Sequence, residues 1–287
     1  MKRIVVIMGP TASGKSALAL KWARERGGEI VSIDSMQIYR GLEIGTAQPT
    51  AAERRLIPHH LVGIRDIHER VDVFTFCKLA DAAIEDISNR GKLPILAGGT
   101  GLYLRTLLYG MDDLPGDRTI RRELDALYDS ADGEAALHER MRELDPKALE
   151  KFSNCRRRLI RALEVRLITG KSILDLQGEA PRRLRYDAEA WRIEMDADTL
   201  KKRIADRAGK MLASGWIEEA EAALAEGLLE TPTAHQALGY RIIGEYLAGK
   251  FPKAELTPRI ATATWQFARR QRTWFRHQHP EARALAL

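Results

Sequence analysis

Eight residues near the amino terminus, Gly9-Pro10-Thr11-Ala12-Ser13-Gly14-Lys15-Ser16, fit the pattern G-x-x-x-x-G-K-[ST], which grips the phosphates of a di- or triphosphate. The glycines let backbone N–H groups turn inward around phosphate oxygens, and the helix that follows adds its positive end. Lys15 would neutralise terminal charge, and Ser16 offers a hydroxyl oxygen to Mg2+. Asp34 follows the run Ile30-Val31-Ser32-Ile33 and so projects from the carboxyl end of a strand, the edge at which open α/β sheets bind ligands. Three roles stay open for its carboxylate: a ligand to Mg2+, a general base on a second substrate, or the acceptor of a local Asx turn. Gly98-Gly99-Thr100-Gly101 ends another strand at the same edge. Its Thr100 hydroxyl would bond a phosphate or a reacting group, although an ordinary strand-to-helix turn has the same composition. His59-His60 is not a metal pair, because adjacent strand residues point to opposite faces.

These residues need a sheet to hold them. The stretch 3–8, Arg-Ile-Val-Val-Ile-Met, is apolar on both faces, as a central parallel strand must be. A helix is expected over 16–25, stopping before Gly27-Gly28. Further strands are expected at 29–33, around 60–62, at 93–97 and at 191–195, with an amphipathic helix over 74–89 between two of them. Strands alternating with helices predict a doubly wound α/β sheet. From residue 113 to 188 the pattern is helical, highly charged and without a convincing strand, which predicts a helical insertion between two parts of the sheet domain, 1–112 and 189–287. The last helix is expected to start at Thr257-Pro258, with a hydroxyl at its N-cap and proline at its first position.

Charge is uneven along the 287 residues, whose net charge is +6. Residues 151–185 carry ten basic side chains against three acidic ones, whereas 123–150 is acidic. Residues 256–280 contain no carboxylate, and Arg259, Arg269, Arg270, Arg272 and Arg276 alternate there with Trp265, Phe267, Trp274 and Phe275. Arginine interleaved with aromatics suits a phosphate backbone with unstacked bases, but a solvated cationic helix with its aromatics in the core has the same pattern. Only Cys77 and Cys155 are present, without redox or metal spacing. No apolar run approaches the roughly 18 residues needed to span a bilayer, and Met1 opens no cleavable leader, so a soluble cytoplasmic protein with no membrane contact is expected. Nothing in the sequence calls for an obligatory protein partner.

Joined by Asp34-Ser35-Met36-Gln37-Ile38-Tyr39-Arg40, Ile57-Pro58-His59-His60-Leu61, Gly98-Gly99-Thr100-Gly101-Leu102-Tyr103, Arg161-Ala162-Leu163-Glu164-Val165, Gly239-Tyr240-Arg241 and Arg269-Arg270-Gln271-Arg272-Thr273-Trp274-Phe275-Arg276, the phosphate loop makes nearly the whole chain resemble bacterial tRNA dimethylallyltransferases. That resemblance implies a P-loop NTPase-like core whose helical insertion embraces the anticodon stem-loop of tRNA. The implied reaction moves a dimethylallyl group from dimethylallyl diphosphate to N6 of adenosine 37, with Mg2+ as cofactor and pyrophosphate released. It further implies that the loop holds the diphosphate, that Asp34 is the general base, and that Thr100 bonds near the transferring centre. Asp34, Ser35, Met36 and Gln37 would hold the target adenine. Contacts to tRNA would come from Thr100, Arg122, the run Arg157-Arg158-Leu159-Ile160-Arg161, the run Gln236-Ala237-Leu238-Gly239-Tyr240-Arg241, and the segment from Arg269 to Arg276. Two positions depart from the family. Gln48 stands where many members carry lysine, and Glu221 is expected where some have an arginine near the diphosphate, so another group must supply that charge.

Three rivals share parts of this pattern. An isopentenyltransferase for free adenine nucleotides has the same loop and chemistry but no need of a large insertion or a basic tail. A small-molecule kinase would use the loop for ATP, and a nucleotide-dependent RNA-binding module would transfer nothing.

Overall fold

The computed structural model describes the chain except for residues 112, 113, 131, 178–182, 280 and 287. It falls into two compact units, one of residues 1–109 with 184–287 and the other of residues 110–183. The sequence-derived join between 112 and 113 lies outside the described residues.

In the larger unit, β1 (Arg3–Met8), β2 (Gly28–Ile33), β3 (His59–His60), β4 (Leu93–Gly98), β5 (Asp187–Glu194) and β6 (Arg283–Ala286) form one parallel sheet in the order β3-β2-β4-β1-β5-β6. The central strand β1 is buried on both faces. Ile4, Val6 and Met8 enter one core and Val5 and Ile7 the other, as the unbroken apolar run requires. Helix α1 (Lys15–Arg26) covers the second face through Ala19 and Ala23. On the first face lie α3 (Val73–Asn89) and α4 (Gly101–Tyr109), which follows β4; a short α2 (Ala51–Leu56) precedes β3. Cys77 on α3 is buried, which pushes its thiol up to about 12 and keeps it an unreactive core residue.

The smaller unit contains α5 (Arg118–Leu127), α6 (Gly133–Leu144), α7 (Pro146–Phe152), α8 (Arg156–Thr169) and α9 (Ile173–Leu176), and no strand among the described residues. Its own core is built on Leu137, Met141, Leu159 and Leu163. Buried Glu164 on α8 accepts from the Asp117 N–H at 2.9 Å and pairs with Arg161 at 2.6 Å and with Arg121. Burial alone would raise its pKa, yet the two guanidiniums hold it low.

After β5 come α10 (Ala197–Ala213), α11 (Trp216–Ala225), α12 (Tyr240–Leu247) and α13 (Leu256–Gln278). Several boundaries depart from the sequence reading. The third strand is two residues long, because Leu61 takes a positive φ of 63° and turns the chain away. Strand β5 begins at Asp187 rather than 191, pairing with Arg3, and β6 was not expected at all. Helix α13 starts at Leu256 behind an uncapped Glu255, one residue before Thr257. Pro258 still falls in the first turn, where its missing N–H costs nothing. Among the described residues, no helix is long and apolar enough to cross a membrane.

Candidate active site

The phosphate loop runs from the end of β1 into α1. Ala12 (φ 62°) and Gly14 (φ 96°) both take left-handed conformations, which turns successive N–H groups toward one concavity. Gly14 is the N-cap of α1 and no side chain caps it, so the first-turn amides stay open to a ligand. Ser13 is fully buried and its Oγ has no partner.

Asp34 emerges from the end of β2 and is half-buried. Its Oδ1 accepts from the N–H of Met36 at 2.9 Å and, more weakly, of Gln37 at 3.4 Å. The Asx turn and the functional readings of Asp34 are therefore compatible, since the turn holds one oxygen and fixes the carboxylate. Thr100, at the end of β4, accepts from the Ser35 N–H at 3.0 Å through Oγ1, tying the two strand ends together. The glycines around it allow close approach. A Cβ on Gly98 would lie 2.0 Å from the Ile33 carbonyl oxygen, and one on Gly101 would lie 2.2 Å from the Trp274 ring.

Buried Gln271 of α13 accepts from the Thr11 N–H at 2.8 Å and donates to the Gly99 carbonyl at 2.9 Å. One side chain thus joins the phosphate loop to the glycine turn. The Thr11 amide is taken by this bond, and the Ser13 amide donates to the Pro10 carbonyl at 3.3 Å.

Two arginines absent from the sequence reading complete the site. Arg203 and Arg207 lie one turn apart on α10, and their Nη1 groups approach the Ser13 carbonyl and the Thr11 hydroxyl, each at 3.4 Å. Their i, i+4 spacing on a charged helix was the available signal, but the same spacing describes a solvated face. Lys15 is only half-buried by area, yet its amine sits deep enough among protein atoms, and close enough to Arg207, to be pushed down to about 7 against the opposing pull of Asp34. Burial also lowers the pKa of Arg207, with Asp34 again opposing.

Thr11, Asp34, Thr100 and Arg207 border a cavity of about 320 Å³ that is also lined by the apolar Ile204, Ala208, Met211 and Ile260. A second cavity of about 380 Å³ lies below Gly14, Lys15 and Ser16 and shares Ala12 and Arg207 with the first. Together the two cavities offer both cationic and apolar side chains beside the loop.

A family model described as IPP transferase matches residues 37–278. The chain belongs to this family. It is 43% identical over 278 residues to the tRNA dimethylallyltransferase of Nocardioides sp., covering 95% of this chain and 88% of that one. The tRNA dimethylallyltransferase of Geobacter metallireducens is 45% identical, with 96% and 89% covered. Among solved structures, the full-length tRNA isopentenylpyrophosphate transferase of Bacillus halodurans is 36% identical with a TM-score of 0.72, covering 100% of this chain and 90% of its own. A eukaryotic dimethylallyltransferase acting on tRNA is 28% identical with a TM-score of 0.84, covering 100% of this chain and 74% of its own. The parallel sheet with its loop after β1 is the P-loop-like fold of these IPP transferases.

The IPP transferase motifs do not all offer side chains to a partner. Leu159 and Ile160 lie in the core of the 110–183 unit, and Ala237, Tyr240 and Phe275 are buried in the larger one. Arg161 is spent on Glu164 and on the carbonyls of Leu114 and Pro115 at 2.9 and 3.0 Å. Gln271 is occupied as described, and Trp274 packs on Gly101. Gln37 donates to the carbonyls of Thr46 and Ala47 and accepts from the Ser32 hydroxyl. These side chains are engaged within the fold. Exposed are Arg122, Arg157, Arg158, Gln236, Arg241, Arg269, Arg270, Thr273 and Arg276, while Arg272 and Leu238 are half-buried. Gln236, Leu238 and Arg270 border the first cavity. Phe267, not Trp274 or Phe275, is the aromatic of α13 that reaches both solvent and this cavity.

The two departures also find their places. Gln48 donates to the Tyr39 carbonyl at 2.7 Å, a structural role. Glu221 is exposed on α11 and lines neither cavity, whereas Arg203 and Arg207 of the preceding helix approach the loop. His60 bonds Glu29 at 2.8 Å and His59 the Ile57 carbonyl at 2.8 Å. No group of three or more His, Cys, Asp or Glu that could hold a metal occurs among the described residues.

Proposed function

We propose that this protein transfers a dimethylallyl group from dimethylallyl diphosphate to N6 of adenosine 37 in the anticodon stem-loop of tRNA, releasing pyrophosphate. The observation that carries this reading is the lining of the two adjoining cavities. A donor with an anionic head and a short aliphatic tail matches a cavity lined by Thr11, Ala12 and Arg207 together with the apolar Ile204, Ala208, Met211 and Ile260, while Lys15 lines the adjoining cavity that shares Ala12 and Arg207. A nucleoside triphosphate would set a polar base against those apolar side chains at a desolvation cost.

The open first-turn amides of α1, the unpartnered Ser13 hydroxyl, Lys15 and Arg207 would form a cradle for the diphosphate. No carboxylate cage occurs among the described residues, and Mg2+ would arrive on the diphosphate and take the Ser16 hydroxyl as its protein ligand, an arrangement this hard cation commonly adopts. When bound it would offset charge on the leaving group. The adenine N6 lone pair attacks the allylic carbon as the C–O bond breaks and pyrophosphate departs with the electron pair. An exocyclic adenine amine is a weak nucleophile, so proton removal must accompany bond formation. Asp34 is fixed through Oδ1, which leaves Oδ2 to accept the N6 proton. Thr100 and Ser35 hold the acceptor edge. The target base leaves its stack to enter, at a cost of a few kcal/mol.

The test is incubation of the protein with unmodified tRNA, Mg2+ and either dimethylallyl diphosphate or ATP, followed by mass measurement of the nucleosides. A five-carbon gain on adenosine with the first donor alone is expected, and no gain in mass overturns the proposal. Asp34→Asn preserves the turn acceptor but not the base. It should lower turnover about 100- to 10,000-fold while tRNA affinity stays within a few-fold, and unchanged turnover would remove Asp34 from the base role.

A further inference from the structure

The carboxylate of Glu219, on α11, collects three donors. Its Oε2 accepts from the Ile44 N–H at 2.7 Å, and Oε1 accepts from the Gly45 N–H at 2.8 Å and from the Tyr240 hydroxyl at 2.7 Å. The slot that receives this backbone is tight. A Cβ on Gly45 would stand 2.2 Å from Trp216 Nε1 and 2.4 Å from the Tyr240 oxygen, and one on Gly239 would stand 2.4 Å from the Trp216 ring. Trp216 and Tyr240 meet edge-to-face with ring centres 6.0 Å apart.

The held segment leads to the reacting carboxylate. Thr46 and Ala47 offer their carbonyls to Gln37 Nε2 at 3.1 and 2.8 Å, Gln37 Oε1 accepts from the Ser32 hydroxyl at 2.7 Å, and the Gln37 N–H reaches Asp34 Oδ1. Gly45, Thr46 and Trp216 border the same cavity as Asp34. Donor-side groups reach the cavity by other routes, through the phosphate loop, α10 and Gln271.

We infer that Glu219 is a positioning residue for the acceptor side of the reaction: it holds residues 44–47 so that Gln37 and Asp34 meet the incoming base. It touches no substrate, and the inference rests on the prenyl-transfer reading above. A charged acceptor shared by two backbone donors cannot be replaced by an amide of the same shape, because the Nε2 of glutamine would face an N–H.

Steady-state kinetics of Glu219→Gln with each substrate varied in turn give the test. We expect kcat/KM for tRNA to fall about 10- to 100-fold, the KM for dimethylallyl diphosphate to stay within twofold, and amide exchange at Ile44 and Gly45 to accelerate. Tyr240→Phe, which removes only the side-chain donor and leaves both backbone bonds to Glu219, should lower kcat/KM for tRNA less than Glu219→Gln does. If E219Q does not fold, Glu219→Asp keeps the charge but draws it back by one methylene and should show the same split. Equal losses for both substrates, or fast exchange at Gly45 with unchanged tRNA kinetics, would reduce Glu219 to a purely structural contact. Absence of prenyl transfer by the parent protein would instead overturn the proposed function, and the inference with it.

Discussion

Lys15 shows how an active site stores the cost of charge. Burial and the neighbouring Arg207 push its amine down to about 7, so well above that pH the free protein holds it mostly neutral. A bound diphosphate favours the charged form, and the pKa must then rise on binding. Binding therefore takes up a proton, and affinity for pyrophosphate should fall as pH climbs above about 7, by up to tenfold per pH unit until the bound-state pKa is passed. Titration calorimetry in buffers of different ionisation enthalpy measures that proton directly; a pH-independent affinity with no proton uptake would show that Lys15 stays charged in the free protein. Residues of this kind were legible in the sequence because the loop motif is local: eight consecutive positions specify both conformation and chemistry. Asp34 and Thr100 were found for a similar reason, each following an apolar run that ends at the ligand edge of the sheet. Arg207 was not, since nothing in a helix carrying lysines and arginines on several faces says which of them turns inward.

Helix α13 illustrates the element scale, where sequence reading had more trouble. Its arginine and aromatic alternation suited either an RNA-stacking surface or a solvated cationic helix with its aromatics in the core. The packing divides that pattern: Phe275 enters the core, Trp274 covers Gly101, and Gln271 bridges Thr11 and Gly99. The partners of Gln271 lie 260 and 172 residues away, so no local pattern could have revealed them. Gln271→Leu keeps the volume but strands the Thr11 N–H and the Gly99 carbonyl, each worth about 1–3 kcal/mol when buried without a partner. We expect a clear drop in melting temperature together with weaker pyrophosphate binding. A destabilised variant with unaltered pyrophosphate affinity would show that the clamp stiffens the fold without shaping the loop. The alternation of strands and helices was legible from periodicity, whereas β6 was not, because Arg-Ala-Leu-Ala carries almost no strand signal.

At the scale of the molecule, the excess of arginine is only partly available to a polyanion. Arg161 neutralises Glu164 inside the smaller unit, Arg156 pairs with Asp125, and Arg207 faces the loop. Arg122 and Arg157 are exposed and make no ion pair among the described residues. Replacing both by glutamine should flatten the dependence of log K on log salt for tRNA by about 0.7–0.9 for each phosphate left without its cation, with the fold intact. An unaltered slope would assign this face to solvent. The order of the sheet also has a bearing on how the chain is made. One long side of β1 pairs with β4, but the other waits for β5, which is encoded on the far side of the inserted unit. At roughly 5–20 residues per second on the ribosome, the most apolar strand of the protein leaves an open edge for several seconds, while the inserted helices are being synthesised. The insertion thus lengthens the interval in which the nascent chain is vulnerable to wrong pairing, and slower translation through residues 110–183 should raise the yield of aggregated product.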